Sequence, residues 1–302
     1  MASEPDMPGA GLYARAVRLR LATGSEVTAF VRAASDGTPR PKCLLIHGNP
    51  GCLLDWSELV PQLFAFADLA ACDLPGFGQS ARSAPGPASL SLERLAAETV
   101  AVAAALGWNE PVILVGHSHG GGVAQTAAAR FPERVAALVL ISSLGYPAHE
   151  SYRLLSLPGA ELFARLVGWL FRAPAFRSLS RRIVRGVLRD VFSPEPVPAA
   201  RLERELASFA ARPEVLSSMV AVTLGRPSPQ LLAQAVKIRC PTRFLHGGSD
   251  ALIPIAYVQA LHERISSAGG DSQLEVVGNA GHSLPEFQIN EVVRAISAVC
   301  GR

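Results

Sequence analysis

The stretch Leu114-Val115-Gly116-His117-Ser118-His119-Gly120-Gly121-Gly122 constrains this chain more than any other. Residues 111–115 are a short apolar run, long enough for a buried parallel strand. The run ends in Gly-x-Ser-x-Gly, and an Ala-rich helical pattern over 123–130 follows at once. Strand, sharp glycine turn and helix are the context that gives Gly-x-Ser-x-Gly a meaning: a strained turn lifts the Ser118 hydroxyl clear of the sheet edge. A side chain at 116 or 120 would crowd that turn, so glycine is needed on both sides of the serine. The helix that follows points its first N–H groups, and the positive end of its dipole, at any negative charge that forms beside Ser118.

A parallel strand needs parallel neighbours, and the rest of the chain supplies them. Residues 17–21 and 26–31, joined by Thr23-Gly24-Ser25, read as an antiparallel pair at one sheet edge. Residues 43–46 form a short buried strand ending in His47-Gly48-Asn49-Pro50-Gly51. Helical spacing follows over 56–64, with Asp55 placed to cap it. The strand 68–72 closes in Asp73-Leu74-Pro75-Gly76-Phe77-Gly78-Gln79-Ser80. A Pro/Ser/Gly loop at 81–90 leads into a helix from Ser91 to Leu106, and 135–141 is the next buried strand. These strands are continuously apolar rather than alternating, which predicts a mostly parallel sheet covered by helices on both faces.

That rhythm breaks at Ser142. Residues 146–236 give helical stretches at 160–171, 178–191, 198–210 and 215–224, with no strand among them. The rhythm resumes with a strand at 242–246, a helix at 256–268, a strand at 273–277 and a last helix at 286–299. The expected organisation is an α/β core built from 1–145 and 237–302, with an all-helical cap, 146–236, inserted over the carboxyl edge of its sheet.

With 302 residues, 49% of them hydrophobic and 18% charged, the chain can bury such a core. Lys42 and Lys237 are its only lysines, so the net charge of +3 is arginine-based, and no basic run is interleaved with aromatics. No nucleic-acid partner is expected. Residues 1–10 are acidic, contain two prolines and lack an apolar core, so no signal peptide is expected, and no run reaches the roughly 20 apolar residues of a membrane span. Five scattered cysteines predict reduced thiols and a cytoplasmic setting, and their spacing suits no zinc site.

A serine is a poor nucleophile at neutral pH; it needs a base, and the base needs an acid to orient it. In a parallel sheet these partners come from loops at the carboxyl ends of other strands. Asp250, in Gly247-Gly248-Ser249-Asp250, follows the strand after the insertion, and His282, in Gly278-Asn279-Ala280-Gly281-His282, follows the last strand. Ser142-Ser143 offers no carboxylate, Asp271 precedes its strand and Glu275 lies within it. His47 and His246 read as structural. The backbone N–H groups of Asn49 and His119 are the candidate donors to an oxyanion, each worth about 3–4 kcal/mol. The expected catalytic set is therefore Ser118, Asp250 and His282.

These motifs resemble the α/β-hydrolase superfamily over nearly the whole chain: His47-Gly48-Asn49-Pro50, Asp73 through Ser80, Gly116 through Gly121, Gly248-Ser249-Asp250 and Gly281-His282. The resemblance implies that Asp73 is structural. The His-Gly-Asn-Pro and Gly-Phe-Gly-x-Ser elements look like epoxide hydrolases and haloalkane dehalogenases, but those use an aspartate nucleophile where this chain has Ser118. With serine, the chain is similar to carboxylesterases, lactonases, perhydrolases and carbon–carbon bond hydrolases. The implied activity is serine hydrolysis of an ester or related acyl substrate, apolar and small to medium in size, with no metal or organic cofactor. The alternatives are carbon–carbon hydrolysis or perhydrolysis on the same triad, or a non-catalytic small-molecule receptor.

The cap is expected to select the small-molecule substrate. Residues 162–171 form an unusually apolar helix in which Phe163, Trp169 and Phe171 are candidate substrate contacts, with ordinary packing of the cap as the competing reading. Between Arg165 and Arg189 stand seven arginines and no carboxylate. A solvated helix face is the expectation there, and membrane contact is not.

Overall fold

The computed structural model describes residues 15–34, 37–80, 87–144, 157, 159–224 and 228–301. The readings of residues 1–10, of 81–86 and of the start of the cap at 146–156 lie outside these. Eight strands make one sheet: β1 (Arg15–Arg20), β2 (Glu26–Arg32), β3 (Lys42–Ile46), β4 (Asp68–Cys72), β5 (Val112–His117), β6 (Val135–Ile141), β7 (Thr242–Gly247) and β8 (Ser272–Val277). Their order is β1-β2-β4-β3-β5-β6-β7-β8. β2 pairs antiparallel with β1 and β4, and every other pairing is parallel. The fold is thus α/β with a mostly parallel sheet, as the apolar runs predicted.

The helices are α1 (Val60–Leu63), α2 (Leu92–Ala105), α3 (His119–Arg130), α4 (Ala160–Leu170), α5 (Arg177–Phe192), α6 (Ala199–Ala211), α7 (Glu214–Leu224), α8 (Ser228–Ala235), α9 (Ile255–Ser267), α10 (Leu284–Phe287) and α11 (Ile289–Cys300). Successive strand residues feed opposite faces of the sheet. Leu44, Leu114, Leu138 and Leu140 join Leu95 of α2 and Val123 of α3 in one buried cluster. Leu45, Val115, Val139 and Ile141 join Trp56, Leu63 and α11's Ile296 in the other. A strand buried on both sides has no use for a polar residue at alternate positions, which is why the runs are continuous. Each such side chain contributes about 1.5–3 kcal/mol by leaving water.

At the antiparallel edge, the buried carboxylate of Glu98 on α2 accepts hydrogen bonds from the Thr23 and Ser25 hydroxyls and pairs with Arg94, fastening the β1–β2 hairpin to the helix layer. Over 56–64 the structure departs from the single helix expected. A 3-10 turn at Leu53–Trp56 precedes the short α1, and Asp55 accepts from the Cys52 N–H (3.2 Å) in a capping box, so it caps that turn rather than a helix over 56–64. All five cysteines are free thiols.

Four of the helices between β6 and β7 pack on one another: α4 against α7, and α6 against α4, α5 and α7. Gly168 of α4 makes the first contact possible, since a Cβ there would stand 2.7 Å from the Pro213 carbonyl oxygen. The remaining helix among the described residues differs from the reading that placed all of 146–236 in a cap: α8 lies against α3 and α9 in the layer covering the sheet.

Candidate active site

Parallel register brings three loop starts to one edge. His117 ends β5 opposite Ile141 of β6, which stands opposite Leu245 of β7. Beyond that line, the Ser118 N–H donates to the Ile141 carbonyl (2.9 Å) and the Ser142 N–H to that of Leu245 (2.8 Å). Ser118 follows β5, Asp250 follows β7 and His282 follows β8.

Ser118 sits between β5 and α3 at φ 51°, ψ −116°, a backbone conformation that costs a non-glycine residue about 1–3 kcal/mol. The turn is closely packed. A Cβ at Gly116 would lie 2.4 Å from the Gly120 carbonyl oxygen, and one at Gly120 would lie 2.2 Å from that of Ile46. Glycine is therefore required on both flanks, as the motif implied.

His282 and Asp250 meet through Nδ1 and Oδ2 at 2.8 Å, both side chains buried. Asp250 Oδ1 accepts from the N–H groups of Leu252 (2.8 Å) and Ile253 (3.0 Å). Burial pushes the Asp250 carboxyl up, but the charge of His282, its hydrogen bond and the backbone donors outweigh this and hold it below the ordinary carboxylate range. With Nδ1–H directed at a carboxylate, neutral His282 carries its lone pair on Nε2.

His47 and His246 hold loops, as expected. His47 Nε2 accepts from the Leu74 N–H (3.0 Å), so its Nδ1–H donates to the Gly48 carbonyl (2.7 Å). His246 Nε2 donates to the Ile253 carbonyl (3.0 Å), bracing the loop that carries Asp250. Burial lowers the pKa of both rings. Asp73 accepts from the N–H groups of Leu53 and Gln79 (2.7 Å each), and burial pushes its carboxyl up to about 7. It fastens two loops through backbone donors, which agrees with a structural role.

The Asn49 loop abuts the Ser118 turn: a Cβ at Gly48 would stand 3.2 Å from Ser118 Cβ. The Asn49 side-chain amide donates to the Met219 carbonyl of α7 (3.1 Å), joining this loop to the helical block. His119 opens α3 with its side chain buried. Above Asn49 is a cavity of about 770 Å³ whose wall is almost wholly apolar. Of the three aromatics singled out in the sequence, Phe163 lines it. Phe171 is buried against Phe209 beside a smaller hollow of about 50 Å³. Trp169 points outward, 66% exposed, and takes no part in the wall.

Two features escaped the sequence reading. His117 Nε2 donates to the His282 carbonyl (3.0 Å) and its ring lies against that of His282, centroids 5.0 Å apart. Its only sequence signal is its place as the strand's last residue. Burial and the neighbouring His282 charge drive its pKa down to about 3. This lies below the unfolded value of about 6.5, so as pH falls beneath that value the unfolded chain gains a proton that the folded chain refuses, and stability is lost. The loss at pH 5 is at most about 2 kcal/mol. His117→Gln, which keeps an N–H donor, should therefore lose a few degrees less Tm than the wild type between pH 7 and 5. Equal slopes in a thermal-shift titration would refute it.

The second is a buried charge cluster joining the helical block to both loops of the site. Arg201 of α6 pairs with Asp55 (3.1 Å), Glu205 (2.8 Å) and Glu286, and its guanidinium donates to the Pro50 carbonyl (3.3 Å). Arg204 pairs with Asp55 as well. Burial pushes Asp55 up, but the two arginines outweigh it and hold the carboxyl below its usual range.

Comparison with known proteins agrees with this architecture. A family model described as alpha/beta hydrolase fold matches residues 44–288. A 2-hydroxymuconate semialdehyde hydrolase of Pseudomonas sp. (strain CF600) is 31% identical over 255 residues, covering 79% of each chain. A pimeloyl-[acyl-carrier protein] methyl ester esterase of Neisseria meningitidis is 29% identical over 245 residues, 80% of this chain and 86% of that one. Among solved structures, a thermophilic esterase from Thermogutta terrifontis superposes with a TM-score of 0.69 at 25% identity, covering 94% of this chain and 97% of its own.

Proposed function

The chain belongs to the alpha/beta hydrolase fold family, and from that premise we propose that it is a serine hydrolase acting on an apolar ester through Ser118, His282 and Asp250. The observation that carries this reading is the buried His282–Asp250 hydrogen bond at the same sheet edge as the strained Ser118 turn. Relatives named as a hydrolase and a methyl ester esterase support an enzyme of hydrolase type.

In the proposed reaction, His282 Nε2 takes the Ser118 hydroxyl proton as Oγ attacks the acyl carbon. Asp250 holds the imidazole in the required tautomer and stabilises the imidazolium. The backbone N–H groups of Asn49 and His119 are assigned to the developing oxyanion. His282 returns the proton to the departing alcohol, and water repeats the sequence on the acyl-enzyme, releasing the acid and restoring Ser118.

The cavity favours an ester over a carbon–carbon substrate bearing a carboxylate, the type that the name of the Pseudomonas relative denotes. No arginine or lysine is among the described residues of its wall, and Asp190 would repel an anion. A p-nitrophenyl ester series of rising acyl length tests this. The expected optimum is a medium chain, since about 770 Å³ accepts far more than an acetyl group. Turnover of vinylogous 1,5-diketo acids with none of the esters would overturn the choice.

A further inference from the structure

The outer side of the helical block is unusual for a surface in water. Leu162, Phe163, Leu166, Trp169 and Leu170 fall on one arc of α4, opposite the Gly168 contact, and all are exposed; Phe163 is 68% so. On α5, Leu179, Ile183 and Val187 recur every fourth residue and form a second exposed stripe. Phe163, Ile183 and Val187 are exposed and also line the cavity, so its mouth opens within this apolar face. Exposed apolar stripes that meet at a cavity mouth in this way mark a surface that meets something.

Charge selects what it meets. Residues 160–192 hold seven arginines against Glu161 and Asp190. Arg177, Arg182 and Arg185 are exposed and form no ion pair among the described residues. At helical spacing Arg182 flanks the α5 stripe and the exposed Arg165 flanks the α4 arc, so a second copy of the chain laid on this face would bring like charges together at its rim. An anionic lipid surface complements them while its acyl region receives the apolar stripes. We propose that α4 and α5 dock the protein on an anionic membrane surface with the cavity mouth against the lipid. Docking is the alternative to the expectation that the arginines merely face solvent. On the serine-hydrolase reading it would let an acyl chain pass from bilayer to cavity without crossing water, but docking itself does not need that reading: Ser118→Ala should bind vesicles as the wild type does.

The test is flotation of the full chain with vesicles of phosphatidylcholine alone or equimolar with phosphatidylglycerol, read together with tryptophan emission. Trp56 and Trp108 are buried and Trp169 is exposed, so a blue shift reports Trp169 entering the lipid. Binding to the mixed vesicles, a blue shift, and at least about a tenfold loss of affinity in high salt are expected. Arg165→Glu with Arg182→Glu should weaken binding by a similar factor. Leu166→Ser with Trp169→Ser should weaken it too, with Tm and soluble-ester hydrolysis retained in both double variants. No flotation with mixed vesicles at low salt would overturn the proposal. So would a blue shift that appears without vesicles and follows dimer formation, because a second copy would then cover the face.

Discussion

Ser118→Ala is expected to lower ester turnover about a million-fold while the protein stays folded. On the proposed mechanism, the size follows from the way the three side chains act as a unit. Without Oγ there is nothing for His282 to deprotonate and no acyl-enzyme to form, so His282 and Asp250 lose their role together. What survives is binding beside the oxyanion donors. The variant keeps the backbone turn, because alanine tolerates φ 51° no better and no worse than serine does. Steady-state hydrolysis, with the burst of the first turnover compared between the two proteins, is the measurement. A variant retaining about a tenth of the wild-type rate would place the nucleophile elsewhere.

The largest expected loss of stability comes from a residue on the helical block. Arg201→Leu should cost about 3–5 kcal/mol and lower Tm by roughly ten degrees. The arginine is buried among Asp55, Glu205 and Glu286. Leucine replaces its volume but leaves three carboxylates sharing Arg204 in a region with little water. The deficit should depend on pH in a definite sense. Burial already pushes Glu286 up to about 6 despite Arg201, and removing that cation raises it further. A carboxyl whose folded pKa exceeds its unfolded one destabilises the protein as pH rises, so the deficit should be smaller at about pH 5 than at about pH 8. Thermal unfolding of both proteins at the two pH values decides it. Because Arg201 also grips the Pro50 carbonyl and Glu286 lies close after His282, kcat should fall with stability.

The elements that sequence alone located well are those fixed by local rules. Continuous apolar runs mark strands buried on both faces, and the close approach of Gly120 to Ile46 explains why the glycines around Ser118 were readable. The pairing of Asp250 with His282 was foreseeable because a parallel sheet has only one edge where such loops meet. What stayed hidden depended on tertiary partners. Asp55 looks like a helix cap until α6 arrives with two arginines. His117 touches a residue 165 positions away. Trp169 and Phe163 share one exposed arc of an apolar helix, and nothing in their spacing says that only Phe163 also lines the cavity.

The position of α8 has a consequence for how this architecture can vary. Parallel neighbours such as β6 and β7 require a crossover that returns the chain to the starting edge, normally with a helix laid on the sheet. α8, seated on α3 and α9, is that helix. The helices α4 to α7 are therefore an excursion within the single loop that joins β6 to α8. Excising or exchanging them would leave a complete strand–helix–strand unit behind, at an entropic cost that changes only slowly with loop length. On the proposed function, substrate choice would then be open to change by grafting one module, with no strand of the sheet having to be refolded around it.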